Sequence, residues 1–505
     1  GKFDYVVGNP PWVLWDNLPN DYRKDTQELW KDYGLFTLPA SQARHGGGKK
    51  DISILFTYVC ADRYLKDSGT FGFLITQSVF KTKGAGEGFR RFTKKDVNLK
   101  VVEAHDFVDV RPFEGTSNRT AAVILKKGRK TVYPVKYVVW RKLFDIDHKE
   151  PFETAFKKLQ SIEMAAIPSD CNNELSPWIT VPRHAVHIVQ KVYGKNEYRA
   201  YAGIYSGGAN GVYWVRILDV IIQSEKTLDI PLSLRKTLNI GEDILVRELL
   251  VENVTKGMKR KVKKVKTVIE DFFIYPLIKS KNVRKWKING YSYTLQMQDP
   301  VQRIGVNEEW VKTTFPKTYR YLKGFEKELN MRKSSVVRQL LQRGPFYTMY
   351  AVGEYTYAPY KVVWNRMGSQ ITSCVISKVF DDFIGEKIVL PENVLAFIPT
   401  DDEDEAHYIC AIMNSSVTDM LLRSIAKGTK SFGTPRIVED TIRIPLYDKN
   451  NELHRKLCNL SKKAHEISQK DKNTNEIEEE IDKAVAVLYG ISEKDLHTVK
   501  ETLLI

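Results

Sequence analysis

At 505 residues, 42% hydrophobic and 11% aromatic, the chain is too long for one ordinary domain and can bury more than one core. Its net charge of +16 favours a polyanionic partner, and the aromatic content suits nucleic acid better than a bare electrostatic tail; the alternative is a basic but ordinary soluble protein. Cys60, Cys171, Cys374, Cys410 and Cys458 are scattered and form no CxxC pair, which excludes a zinc ribbon and a disulfide framework and fits a reducing, prokaryotic cytoplasm. The sequence contains no signal peptide and no unbroken apolar stretch of membrane-spanning length.

In chain order, Phe3 to Val7 predicts a short apolar strand running into Asn9-Pro10-Pro11-Trp12. A loop carrying HGGGKK is expected between Tyr33 and Lys50. Asp51 is expected to be the N-cap of a helix with Ile52, Leu55, Phe56 and Val59 on one face. FGFLIT, VNLKVVEAHDF and RTAAVILKKG predict three further strands, so residues 1–140 read as part of an open α/β sheet. Residues 141–175 read as a connection: one amphipathic helix at FETAFKKLQ, then the linker IPSDCNN. Residues 176–450 mix short strands, Gly/Asn turns and aromatic-basic segments, a mixed α+β pattern. Residues 451–505 read as a charged helical tail, with Ser492 and Asp495 resembling a capping box. No internal repeat is evident.

The tetrad at residue 9 carries the chemistry. Two successive prolines fix two φ angles and hold the residue before each out of the helical region. Pro10 and Pro11 lack N–H groups, so the corner displays two acceptors, the Asn9 side-chain oxygen and the Pro10 carbonyl, beside the flat face of Trp12. Two fixed acceptors next to a flat surface match a planar exocyclic amine. Such an amine is a poor nucleophile because its lone pair is delocalised into the ring. Accepting both of its hydrogens favours a tetrahedral nitrogen and frees that pair, so positioning and electrostatics replace a general base. The competing reading is a Pro-Pro turn leaving a strand.

FDYVVGNPPW resembles the catalytic motif of the amino-methyltransferases that use S-adenosylmethionine. That motif is shared by N6-adenine DNA, release-factor glutamine and guanine-N2 RNA methyltransferases. Asp51 to Phe80 and RPFEGTSNRTAAVILKKG are similar to the segments that follow it in the gamma-class DNA adenine methyltransferases, Type IIG restriction-modification enzymes and related phage-defence methyltransferases among them. The resemblance implies a partial Rossmann-like methyltransferase sheet over 1–140, a DNA target-recognition domain over 176–450 and S-adenosylmethionine as cofactor. It implies that Asn9, Pro10, Pro11 and Trp12 are catalytic, that Asn9 and Pro11 border the cofactor, and that Trp12 and Phe113 clamp an adenine flipped out of duplex DNA. The alternative for Phe113 is a core residue before a strand.

YAGIYSGGANGVYWV, Tyr201 to Val215, resembles the start of that recognition domain, and several later segments follow in the same order. Gly207, Gly208, Asn210 and Gly211 permit tight turns and close backbone approach. Lys279, Lys281, Arg284 and Lys285 would suit phosphates. Seven of the eleven residues from Lys256 to Lys266 are basic, Lys256, Lys259, Arg260 and Lys261 among them, which reads as a phosphate-tracking loop or as a solvated basic face.

Only eight residues precede Asn9, whereas the family's glycine-rich cofactor motif stands several strands before it. Neither SGGAN nor SFGTPR supplies a displaced copy, and no nuclease signature is found. The chain therefore reads as the carboxyl-terminal part of a larger or split methyltransferase, inactive without an upstream segment or partner subunit. The alternatives are a non-catalytic specificity module that docks a partner methyltransferase or nuclease, and an RNA or protein methyltransferase.

Overall fold

The computed structural model describes all residues except 37–49, 95–96, 114–117, 148, 259, 427–431 and 505. Most of the expected HGGGKK loop, and Lys259 of the basic run, lie outside the described residues. The chain divides into two units. The first comprises Gly1–Tyr193 with Arg423–Gly428 and His497–Ile505, and the second Gly194–Leu422 with Thr429–Leu496.

The first unit is α/β. Strands β1 (Phe3–Gly8), β2 (Leu65–Thr76), β3 (Thr93–Lys94), β4 (Val97–Phe107), β5 (Thr120–Lys127), β6 (Val135–Lys142), β7 (Leu159–Asp170) and β8 (Asn173–Val181) form one sheet. Its order is β1-β2-β5-β4-β6-β7-β8, with β3 paired to β4. The sheet is mixed. β1 runs parallel to β2, with helices α1 (Asn20–Asp32) and α2 (Ser53–Arg63) in the crossover, and β4 runs parallel to β6. β5 runs antiparallel to both of its neighbours. This order brings the carboxyl ends of β1, β2 and β4 and the start of β5 to one edge. Thr120 pairs with both Thr76 and Phe107, and Gly8 sits opposite Phe73.

Alternation along β2 sends Phe71, Phe73 and Ile75 into a core shared with Val101, Val123, Leu125, Tyr137 and Trp178. Ile52 and Leu55 are buried in the same core, and Phe56 and Val59 are partly buried against it. Lys127 is 3% exposed, and its Nζ donates to the carbonyls of Ala61, Asp62 and Leu65 at 2.9–3.1 Å. It closes the last turn of α2 onto the sheet, where an ammonium is favoured by the helix dipole. On β1, Phe3, Tyr5 and Val7 are 59%, 74% and 82% exposed, and Val6 packs on the core.

Residues 141–175 differ from the expected connection. Helix Phe152–Lys157 stops after six residues, because from Leu159 the chain pairs with β6 as β7. The IPSDCNN segment forms the end of β7 and the turn into β8, with the Asp170 side chain accepting from Asn172 N at 3.0 Å. Both strands belong to the first sheet, and the first unit extends through Tyr193.

In the second unit, β10 (Trp214–Thr227) and β11 (Asp243–Asn253) form a long antiparallel hairpin. The sheet runs from β12 (Lys266–Glu270) through β11 and β10 to Ser292–Leu295, Ile274–Ile278 and Leu390–Pro391. A second sheet joins Ser373–Ile376, Tyr360–Asn365, Leu395–Thr400 and β9 (Tyr201–Ala202). Helix Glu403–Met413 packs on it and against helix Glu452–Gln469. Asp495 N donates to Ser492 Oγ at 3.1 Å, so a Ser cap opens helix Glu493–Leu504. No helix among the described residues is long and apolar enough to cross a membrane.

Candidate active site and nucleic-acid interface

At the end of β1, Asn9 and Pro11 are exposed, Pro10 is buried and Trp12 is half-buried. The Trp12 indole Nε1 donates to Leu74 O in β2 at 3.2 Å, which fixes the plane of the ring. Phe113, beyond the end of β4, meets Trp12 with ring centroids 5.7 Å apart and planes inclined at 66°. The two rings chosen from sequence, a hundred residues apart, therefore stand edge to face, beside each other and with no slot between them.

The chain leaving the corner is held by three contacts to the segment Lys50–Ile52. Leu14 bridges to Asp51, Trp15 N donates to Lys50 O at 2.8 Å, and Ile52 N donates to Val13 O at 2.9 Å. Trp15 packs on the buried Trp30 at 5.3 Å.

A cavity of about 560 Å³ opens at this edge of the sheet, lined by Trp12, Val13, Leu14, Asn17, Asp51, Thr76, Gln77, Ser78, Asn118 and Arg119. Asp51 is buried in its wall. It precedes the helix start at Ser53, and its carboxylate accepts from Ser53 N at 3.0 Å, from Ser53 Oγ and from Thr76 Oγ1 at 2.5 Å. Ile52, not the expected Asp51, takes the N-cap position; the Asp51 carboxylate bonds the first helical N–H from one residue further out while also tying α2 to the end of β2. Burial pushes its pKa up, opposed by those hydrogen bonds.

Behind the wall lies a network that sequence reading missed. Asp106 is 2% exposed and accepts from Tyr137 OH at 2.8 Å, Gln77 Nε2 at 3.2 Å and Arg119 Nε at 3.1 Å. Lys81, also buried, donates to Thr180 Oγ1 at 2.6 Å and Ser424 O at 2.7 Å. Burial pushes its amine down to about 7, and the Asp106 carboxylate opposes that shift. These pairings span 13 to 343 residues, and no local pattern announces them.

The described residues around the corner do not complete a pocket for S-adenosylmethionine. Asn9 and Pro11 stand exposed at the end of a strand whose Phe3, Tyr5 and Val7 are apolar and exposed. The nearby buried carboxylates, Asp51 and Asp106, are already bonded to the protein's own donors. Among the described residues no group of three or more His, Cys, Asp or Glu could hold a metal ion.

In the second unit the glycine turn and the basic run come together. Gly207 and Gly208 adopt φ of +72° and +86°, a region that favours glycine, and Ser206 Oγ bonds the Asn210 side chain across the turn. The buried Arg332 holds this turn from beneath, donating to the carbonyls of Ser206, Leu329, Phe346 and Thr348 at 2.7–3.1 Å. Lys256 and Lys261 are exposed. Arg260 is turned inward, donating to Glu328 O and Met331 O at 2.8 Å each.

The remaining basic candidates differ in how they are held. Lys279 lies 3.4 Å over the Trp214 ring, its amine pushed down to about 8 by burial and by Lys281. Lys281 and Arg284 are exposed, whereas Lys285 is paired with Glu478 at 2.6 Å.

Residues 1–113 match the Eco57I restriction-modification methylase family. The chain is similar to the type II methyltransferase M.NspV of a Nostoc species, with 29% identity over 149 residues, covering 30% of this chain and 29% of that protein. It is also similar to the modification methylase CviBIII of Paramecium bursaria Chlorella virus NC1A, with 26% identity over 133 residues, covering 26% and 28%. Among solved structures it resembles the Type IIL restriction-modification enzyme MmeI, determined in complex with DNA, with a TM-score of 0.53 and 11% identity over 99% of this chain and 56% of that one. The matches span less than a third of the length of those curated relatives. The likeness to the solved structure is one of fold. The stretch that matches the Eco57I restriction-modification methylase family holds both the Asn9 corner and Phe113.

Proposed function

We propose that this chain supplies the amine-binding side of site-specific N6-adenine methylation of duplex DNA, in a restriction-modification or related phage-defence enzyme. The observation that carries the reading is the corner itself: Asn9 and Pro10 directly follow β1, and Trp12, which lines the cavity, meets Phe113 at 5.7 Å. The Asn9 side-chain oxygen and the Pro10 carbonyl accept the two amino hydrogens of an extruded adenine and localise its lone pair. Trp12 and Phe113 hold the base, one by its face and the other by its edge. Both tools are preorganised, since the Trp12 plane is set by Leu74 O and the chain beyond it by Asp51 and Lys50.

The methyl donor in this reading is S-adenosylmethionine, whose sulfonium supplies the electrophilic methyl. A segment or subunit bearing the glycine-rich motif completes its pocket, to which Asn9 and Pro11 contribute one border. The second unit acts as the target-recognition domain and holds the duplex through its phosphates.

The decisive experiment is long-read sequencing of DNA from cells carrying the complete enzyme, wild type or Asn9→Ala. N6-methyladenine in one sequence context, lost in the variant, supports the reading. Methylation that survives Asn9→Ala overturns the catalytic assignment and leaves this chain as a specificity module. Labelled methyl on RNA or on a protein, with none on duplex DNA, overturns the substrate.

A further inference from the structure

The basic run from Lys256 to Lys266 is not a free arm. Its described residues are bracketed to the glycine turn by Asn253, the last residue of β11. Asn253 is 2% exposed and makes three hydrogen bonds: Nδ2 donates to Gly211 O at 2.7 Å and Lys263 O at 3.0 Å, and Oδ1 accepts from Val265 N at 2.7 Å. One side chain thus joins the turn at Gly211 to the returning end of the run.

Apolar contacts tighten the same joint. A Cβ built on Gly211 would lie 2.8 Å from Val262 Cγ2 and 3.3 Å from Met258 Cγ, so any larger residue would push these side chains away from the turn. A second anchor lies at Arg260, whose guanidinium holds Glu328 O and Met331 O. Arg332, next in sequence to Met331, holds Ser206 at the head of the turn.

Val262, Met258 and Arg260 take part in these anchors, while Lys256 and Lys261 are left exposed. A flexible basic loop loses conformational entropy when it follows a polyanion, and an anchored one has lost most of it on folding. We infer that Asn253 is a positioning residue for phosphodiester recognition: it sets the basic strap and the glycine turn as one preformed surface for the nucleic-acid backbone, with Arg260 a strut of that surface and not itself a phosphate ligand. This rests on the DNA-binding reading above.

The test is the dependence of duplex-DNA affinity on salt, measured by fluorescence anisotropy on the full chain for wild type, Asn253→Ala and Arg260→Lys. Each phosphate contact contributes a slope of about −0.9 in log affinity against log salt. Neither substitution removes a positive charge, so a merely structural role lowers the melting temperature and leaves the slope intact. The inference predicts a slope shallower by about 2 in both variants, or roughly tenfold less affinity lost between 50 and 200 mM salt. A wild-type slope in either folded variant overturns it. If Asn253→Ala does not fold, Arg260→Lys decides alone. A flat response in the wild type sinks the DNA-binding reading itself, and a steep wild-type response with unchanged variants sinks only the role of Asn253.

Discussion

The Asn9 corner and the Lys256–Lys266 strap solve opposite problems. The corner is nearly uncharged: its tools are one amide oxygen, one carbonyl and two rings, and of the charges near it Asp106 is paired with Arg119 while Asp51 is held by neutral donors. The strap is charge-rich. Chemistry on a neutral amine calls for aimed acceptors and an aromatic face, where a full charge would pay desolvation without aiding the nitrogen. Holding a polyanion calls for many exposed cations, each contributing little. Both are anchored by buried polar side chains, Asp51 in one and Asn253 in the other. Rigidity is the property they share, and charge is the one that separates them.

The largest effect should come from the corner. Asn9→Ala removes one of the two acceptors and should lower kcat about 10² to 10³-fold in the complete enzyme, with KM for DNA near wild type, because the acceptor acts most on the developing tetrahedral nitrogen. Single-turnover transfer of labelled methyl measures it. A variant with wild-type kcat would place the chemistry elsewhere and end the contrast between the two regions.

The second unit carries a titratable weakness of its own. His407 and His465 lie with ring centroids 4.7 Å apart, and burial lowers their pKa values to about 3 and about 4; the His465 charge further disfavours protonation of His407, while the Ser461 carbonyl opposes the shift at His465. Both therefore stay neutral in the folded state at pH values where an unfolded histidine, with its ordinary pKa of about 6.5, takes up a proton. Stability is complete above about pH 6.5 and is lost as pH falls toward 4, by about 3 kcal/mol for His465 alone. Thermal melts across that window should fall more steeply for wild type than for His465→Gln, and parallel curves would remove the histidine pair as the cause.

The aromatic pair comes next. Trp12→Ala removes the stacking face and the bond to Leu74 O, and base stacking on an aromatic ring is worth about 1–3 kcal/mol, so kcat/KM should fall roughly 10 to 100-fold. Trp12→Phe keeps a face and should recover most of that loss. If the phenylalanine variant is as poor as the alanine one, the indole N–H matters more than the stack.

What the sequence revealed follows from how local each feature is. The corner lies in four consecutive residues whose stereochemistry is fixed by proline, so its shape was legible. Phe113 was found through family resemblance, since nothing local pairs it with Trp12. The helix face at Ile52 and Leu55 and the strands at 71–76, 97–107 and 120–127 followed periodicity. The segment at 159–181 did not. Pro168, Asp170, Asn172 and Asn173 carry linker-like composition, yet the strands they join fill the far edge of the first sheet, and their partner in β6 lies some twenty residues upstream. Asn253 bonds across 42 residues and Arg332 across 126, so neither anchor has a signature in its own neighbourhood.

The smallest expected effect separates an anchored strap from a generally basic face. Lys256 and Lys261 are exposed, and replacing both by Ala should make the salt slope shallower by about 2. Lys285 was as good a phosphate ligand in sequence, but it is only half exposed, is paired with Glu478 at 2.6 Å and sits near the Trp286 ring. Lys285→Ala should leave the slope unchanged and cost no more than about 1 kcal/mol in stability, the scale of a partly exposed ion pair. A non-specific positive face would respond to charge count alone, so Lys285 would then weigh as much as either strap lysine. Equal slopes for the two single variants Lys261→Ala and Lys285→Ala would favour that simpler electrostatic picture. A change confined to Lys261 means that the fold has selected which of its many cations meet the backbone.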